Sequence, residues 1–258
     1  MKDLLENNFN FKNIVKSTIV IYIFFSSYIF NLIPIYLFNL DINNISLKTS
    51  SYIMLFSYIV VLLILLGIYF KDIINEFKLF IKNIWENFDI GLKSWLLGLS
   101  IMFFSNLVLV FIFKSSGANN ENTVQTLINT SPVAMGFYAC LVAPIVEEFI
   151  FRKSLKDVIK NKWLFIFISF IFFGGAHVIS SAQNLIDLLY IIPYGAFGAT
   201  FAFAYYKTDT IYTSILFHMI HNSLLFFLSI IIWKLLIYNL KFSFFVNLCK
   251  KVFTCYLI

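Results

Sequence analysis

Of the 258 residues in this chain, 60% are hydrophobic and only 12% are charged, and the mean hydropathy is +0.87. A soluble globular domain carries about twice that charged share, so the composition excludes one. The net charge of +6 is spread in short basic clusters between apolar runs. That is the pattern of membrane topology signals, and no nucleic-acid partner is expected.

Seven apolar stretches are long enough to cross a bilayer and are expected as helices: 14–38, 52–70, 95–113, 133–151, 163–179, 185–206 and 211–233. The first has a basic start but no small-residue cleavage site after it, so it is expected as a retained helix and not a signal peptide. Between Lys71 and Lys93, the residues Ile73, Phe77, Phe80, Ile81, Ile84 and Phe88 fall on one helical stripe, with Lys78, Lys82, Asn83 and Glu86 off it. Such a helix lies flat on a membrane surface or packs as a linker on its own protein. Residues 114–131 are rich in Gly, Asn, Ser and Thr and are expected as an exposed loop. The tail over 236–258 is apolar but interrupted by Lys250-Lys251, so it reads as a last short span or an interfacial helix.

The expected fold is therefore all-α, a polytopic transmembrane bundle of seven to eight spans. N-terminal helices occupy 1–130, a core occupies 131–235, and the tail follows. Lysine and arginine concentrate before the first span and after the second, fourth and sixth. By the positive-inside rule these loops and the N-terminus are cytoplasmic. The abundance of Ile, Phe, Asn, Lys and Tyr fits an AT-rich coding sequence and points to a bacterial plasma membrane. Three scattered cysteines, Cys140, Cys249 and Cys255, offer neither a disulfide framework nor a CxxC metal site.

The chemistry is expected where ionisable groups sit at membrane depth, because each costs roughly 2.5–3.5 kcal/mol there and is seldom incidental. Glu147-Glu148 interrupts the fourth apolar run, and Arg152 follows it. Glu148 and Arg152 are four apart and share a helix face, whereas Glu147 points about 100° away. An ion pair between Glu148 and Arg152 leaves Glu147 free to face a cavity as a general base. Pro144, one turn earlier, is expected to kink the helix. All three histidines lie in the spans that follow. In Phe173-Gly174-Gly175-Ala176-His177, the aromatic ring and the imidazole share a face, and the small residues between them let a neighbouring helix approach. In His218-Met219-Ile220-His221-Asn222, His218 and Asn222 lie one turn apart and can donate hydrogen bonds to a developing oxyanion. Alternatively, His177 and His218 ligate a zinc ion, with Glu147 as ligand or base; there is no HExxH motif. With the fourth span ending at 151, Glu147 and His177 would differ in depth on the order of 10–15 Å, so that helix is expected to run well past Arg152.

Taken in order, Glu147-Glu148-x-x-x-Arg152, Phe173-x-x-x-His177 and His218-x-x-x-Asn222 resemble the three motifs of the CAAX-protease and bacteriocin-processing intramembrane proteases (the Abi and lysostaphin-resistance-like group). The Ras-converting CAAX endopeptidase of eukaryotes is part of that group. The resemblance covers roughly residues 130–235. It implies an endopeptidase acting on a peptide or membrane-associated protein, with an active site that opens towards the cytoplasm. Glu147 and His177 would activate water, His218 and Asn222 would stabilise the oxyanion, and Glu148 and Arg152 would support the structure. Either no metal or one divalent zinc fits the family, and His221 lies outside its pattern. Two other readings are an ion-coupled transporter, for which repeat symmetry between the halves would be expected, and a non-catalytic scaffold or immunity protein of the same fold.

Overall fold

The computed structural model describes residues 11–113 and 119–237. The expected eighth span, from residue 238 onward, and Cys249 and Cys255 lie outside the described residues. Among the described residues every regular element is helical and there is no strand, in agreement with the all-α expectation. The helices are α1 (Phe11–Phe25), α2 (Leu32–Leu37), α3 (Leu47–Ile68), α4 (Phe70–Lys82), α5 (Ile84–Phe111), α6 (Asn119–Thr130), α7 (Pro132–Val158), α8 (Lys162–Val178), α9 (Ile191–Thr208) and α10 (Ile211–Ile237).

The expected seven to eight spans are not confirmed among the described residues. There, five helices are long and apolar enough to cross a membrane, and six if α1 and the segment Ser27–Leu37 form one span bent by 49°. The bend falls at the Ser26-Ser27 pair and the 3₁₀ turn Ser27–Asn31, the kind of site where helices break. The span expected over 163–179 is α8, whose 17 residues reach about 25 Å, short of a ~30 Å hydrocarbon core.

Two further boundaries move. The surface helix expected over 71–93 is α4 alone, which ends at Asn83; residues from Ile84 onward belong to α5, so the span expected at 95–113 begins eleven residues earlier. Apolar residues flank Asn83 on both sides without Gly or Pro, which is why the pattern reads as continuous. The polar stretch expected as a loop is helical over Asn119–Thr130.

α7 lies at the centre, with Glu147, Glu148, Ile150, Phe151 and Arg152 all 2% exposed or less. It runs past Arg152 to Val158, as the depth argument required. Pro144 does not break it. Instead π-helical turns at Tyr138–Val142 and Phe149–Lys153 flank the segment Ala143–Glu148. Each turn shifts one backbone bond to i+5, from Ala143 N–H to Tyr138 O and from Ser154 N–H to Phe149 O. Such bulges rotate the helix face and occur often at functional sites.

α9 packs against both α8 and α5. A Cβ on Gly198 would lie 2.6 Å from the Ser169 carbonyl, and one on Gly174 2.6 Å from that of Ile191, so α8 and α9 meet backbone to backbone. At one end of the bundle the start of α1, the start of α4, the end of α7 and the start of α10 converge. Lys16 pairs with Asp157 at 2.9 Å, and Lys153 pairs with Glu76 at 2.9 Å. Four of the loops expected to share a side of the membrane therefore do meet at one end.

The helix contacts generate a paired test. Gly198→Ala should cost about 1–3 kcal/mol, because its obstacle is backbone and cannot swing aside. Gly67→Ala meets nothing within 4 Å and should be neutral or stabilising by up to about 1 kcal/mol. Thermal unfolding of both variants in detergent checks this; equal melting temperatures would contradict the close α8–α9 contact.

Candidate active site

The three motifs converge. Glu147 on α7, His177 on α8 and His218 on α10 come together around the Glu147 carboxylate: its Oε2 lies 3.9 Å from His177 Nε2 and 3.8 Å from His218 Nε2. Each imidazole is held at its far nitrogen by an acceptor. His177 Nδ1 is 2.7 Å from the Phe173 carbonyl, one turn back on α8, and His218 Nδ1 is 2.8 Å from Glu148 Oε1. A neutral ring with its proton on Nδ1 presents a bare lone pair at Nε2. Both lone pairs are thus directed to the neighbourhood of Glu147 Oε2, which has no hydrogen-bond partner among the described residues. Three acceptors facing one another at these distances call for something between them that donates protons or carries positive charge.

The motif neighbours hold this arrangement. Glu148 Oε1 lies 3.1 Å from Arg152 Nη1, and both side chains are fully buried, so the pair expected from the i,i+4 spacing is present. Arg152 Nη2 donates to the Phe197 carbonyl on α9 at 3.0 Å, and its guanidinium lies 4.3 Å from the centre of the Phe173 ring. One cation thereby ties α7 to α8 and α9, while Glu148 ties α7 to α10. Asn222 lines the same cavity as His218, and its Nδ2 donates to the Ala139 carbonyl at 3.0 Å. That acceptor lies in the first π-turn, so the turn itself positions Asn222.

The cavity is bounded by Phe173, His177, Tyr194, Phe197, His218 and His221, along with Asn222. Its space open to a water's centre is ≈10 Å³, enough for about one water. Tyr194 stacks on His177 with ring centres 5.0 Å apart. His221, which lies outside the family pattern, is 3% exposed and lines the cavity, with neither ring nitrogen hydrogen-bonded among the described residues. It sits 4.0 Å, ring to ring, from Phe197.

Sequence reasoning missed Glu76. This α4 carboxylate accepts from Lys153 Nζ, from the Tyr205 hydroxyl at 3.1 Å and from the Ile211 backbone N–H at 2.7 Å. It therefore joins the end of α7 to the first turn of α10, where a negative charge is favourable. Asp72 and Glu76, spaced i,i+4 on an otherwise lysine-rich amphipathic helix, were the available signal. Burial and the nearby Asp157, Asp72 and Glu76 push the Tyr69 phenol well above its ordinary range, so it stays neutral in this cluster.

The spacing also bears on a metal. Among the described residues no group of three or more His, Cys, Asp or Glu side chains is arranged to hold one. The donor types, two Nε2 atoms and a carboxylate with both Nδ1 atoms engaged, are those of zinc sites. Ligands at about 2.0–2.1 Å in a tetrahedron, however, stand about 3.3 Å apart, closer than the 3.8–3.9 Å found here.

The fold and this constellation define a multi-span membrane protein with a buried carboxylate–imidazole site. Residues 129–224, which contain all seven motif residues, match the family described as Type II CAAX prenyl endopeptidase Rce1-like. Over that segment the resemblance carried by the three motifs is borne out. The "Putative membrane peptidase YdiL" of Bacillus subtilis (strain 168) is 35% identical over 112 residues, 42% of this chain and 42% of the relative. The "UPF0177 protein YxdF" of Lactococcus lactis subsp. lactis (strain IL1403) is 25% identical over 147 residues, 54% of this chain and 78% of the relative. The chain thus matches less than half the length of the first relative. No solved structure matches significantly.

The buried pair separates two carboxylates that are adjacent in sequence. Glu148→Ala should destabilise the protein by about 3–5 kcal/mol, because it leaves Arg152 buried without its counter-charge. Glu147→Gln removes no paired charge and should fold normally. Comparing melting temperatures and membrane yield checks this, and equal stability would show that the roles are wrongly divided.

Proposed function

We propose that the protein is an intramembrane endopeptidase that cleaves a membrane-associated protein or peptide. The observation that carries this reading is the convergence of Glu147 Oε2 with two imidazole nitrogens whose protons are held elsewhere. The match of residues 129–224 to a CAAX endopeptidase family points the same way.

In the proposed mechanism a water enters between Glu147 and His177. Glu147 takes a proton from it as the oxygen attacks the scissile carbonyl carbon, and His177 holds the water in line. The carbonyl becomes a tetrahedral oxyanion. Asn222 has one Nδ2 hydrogen committed to Ala139, and its second hydrogen is free to reach the oxyanion. His218 can donate from Nε2 only when that nitrogen carries a proton in addition to the one shared with Glu148 at Nδ1. Collapse of the intermediate breaks the C–N bond, and Glu147 returns its proton to the leaving amine.

We favour direct activation by Glu147, because its Oε2 stands wider from the two imidazole nitrogens than zinc ligands stand from one another. If they close on zinc, His177, His218 and Glu147 hold it, and the metal supplies Lewis acidity to the same water. We further propose that the site opens towards the cytoplasm, following the lysine-rich loops. A transporter reading would instead use these groups as a proton relay.

Two measurements test the proposal. Glu147→Gln should abolish cleavage in a folded protein, detected by comparing peptides released from membranes holding wild-type or variant. Asn222→Ala should lower turnover by ~10²–10³-fold with little change in substrate binding. Normal turnover by Glu147→Gln would remove the endopeptidase reading. Elemental analysis of active protein addresses the metal: we expect no stoichiometric zinc, and about one per chain that is lost in His177→Ala would reverse the assignment.

A further inference from the structure

On the far side of α9 from the buried site, α5, α8 and α9 leave an open groove of ≈580 Å³, well within the range of ligand-binding clefts. Leu97, Ile101, Ile166 and Phe203 form much of its wall, which is almost entirely apolar. Among the described residues, its charged lining residues are Lys93 and Lys207. These lie at the same end: α5 and α9 run antiparallel with Gly98 against Thr200, which sets Lys93 near the last turn of α9. Lys207 is exposed, and the partner of Lys93 is the exposed Asp89 on its own helix, at 2.6 Å. Trp163 lines the groove as well, at the first turn of α8, and is 69% exposed.

From Ile90 to Ile101 the α5 wall is about 16 Å long, the reach of a fatty acyl chain. Thr200 lies on the floor. It is 5% exposed, and its hydroxyl is buried with no partner among the described residues. Ser94 also lines the groove, but its hydroxyl donates to the Ile90 carbonyl of its own helix, so Thr200 is the lining hydroxyl left without the partner that buried groups normally have.

We infer that this groove is a binding site for an anionic phospholipid. One acyl chain lies along α5 and α9, and the phosphate head lies between Lys93 and Lys207 at the membrane surface. Charge complementarity selects the occupant: the channel is apolar along its length and cationic at one end, with an aromatic side chain at the level where headgroups sit. The tail over 238–258 is a poor alternative, since it carries three lysines and no Asp or Glu. None of these residues takes part in the buried site, so the inference does not depend on the proposed activity.

Native mass spectrometry of the full chain in detergent tests it, with phosphatidylglycerol or phosphatidylcholine of the same acyl chains added. One phosphatidylglycerol should be retained at concentrations where phosphatidylcholine is not. Lys93→Gln with Lys207→Gln should weaken retention about thirtyfold. Leu97→Trp, a substitution on an exposed surface that fills the channel and keeps both lysines, should weaken both lipids. Melting curves recorded without lipid show whether each variant is folded. Equal retention of the two lipids, or unchanged retention in the double lysine variant, overturns the proposal. So does displacement by millimolar inorganic phosphate, which would reduce the site to a surface anion contact without an acyl channel.

Discussion

The buried charge pair between Glu148 and Arg152 is the constraint around which the bundle is arranged. Neither side chain touches solvent, and moving two ions out of water costs several kcal/mol each before any attraction between them is counted. Their contacts offset part of that cost, although Arg152 Nε and Nη1 and Glu148 Oε2 have no hydrogen-bond partner among the described residues. Arg152 reaches the Phe197 carbonyl and lies against Phe173, and Glu148 meets His218. Satisfying the pair therefore requires α8, α9 and α10 to assume fixed places around α7. Those places also bring His177 and His218 to Glu147.

The two π-turns belong to the same logic. They bracket the Glu-Glu segment and free α7 from strict α periodicity on both sides. The first presents Ala139 O to Asn222, while the second contains Arg152 and Lys153. Lys153 points to the charged end of the bundle, where Glu76 and Asp157 receive it. Two consecutive cations on one helix thus serve two different layers, one inside the membrane-spanning core and one at its rim.

The site was legible in the sequence, and the frame around it less so. Glu147, Glu148, Arg152, His177, His218 and Asn222 stand out because polar groups in apolar helices are costly, and their spacing indicates which share a face. The i,i+4 pairing of Glu148 and Arg152 follows from helix geometry alone. Helix ends were harder, since Asn83 interrupts an apolar pattern without any Gly or Pro to announce it. The π-turns have no sequence mark beyond Pro144. Glu76 resembles any surface acid until the fold sets it against Lys153 and the first turn of α10. Tyr194 and Phe197 are aromatics among many in a chain with 33 phenylalanines, and only tertiary packing selects them as cavity walls.

The link between rim and core follows from Glu76. Its carboxylate accepts simultaneously from Lys153 at the end of α7 and from the Ile211 N–H at the start of α10. Those two helices carry Glu147, Glu148, His218 and Asn222, so one side chain on α4 adds to the Glu148–His218 and Asn222–Ala139 bonds in setting their relative height. A displacement of α4 would act on both helices at once, because a helix transmits a shift along its axis with little loss. Glu147 and His218 face each other across 3.8 Å, and a relative slide of a single residue, about 1.5 Å, would be enough to take the imidazole out of register with the carboxylate. The amphipathic helix at the rim is thus a structural part of the site despite contributing no atom to its cavity.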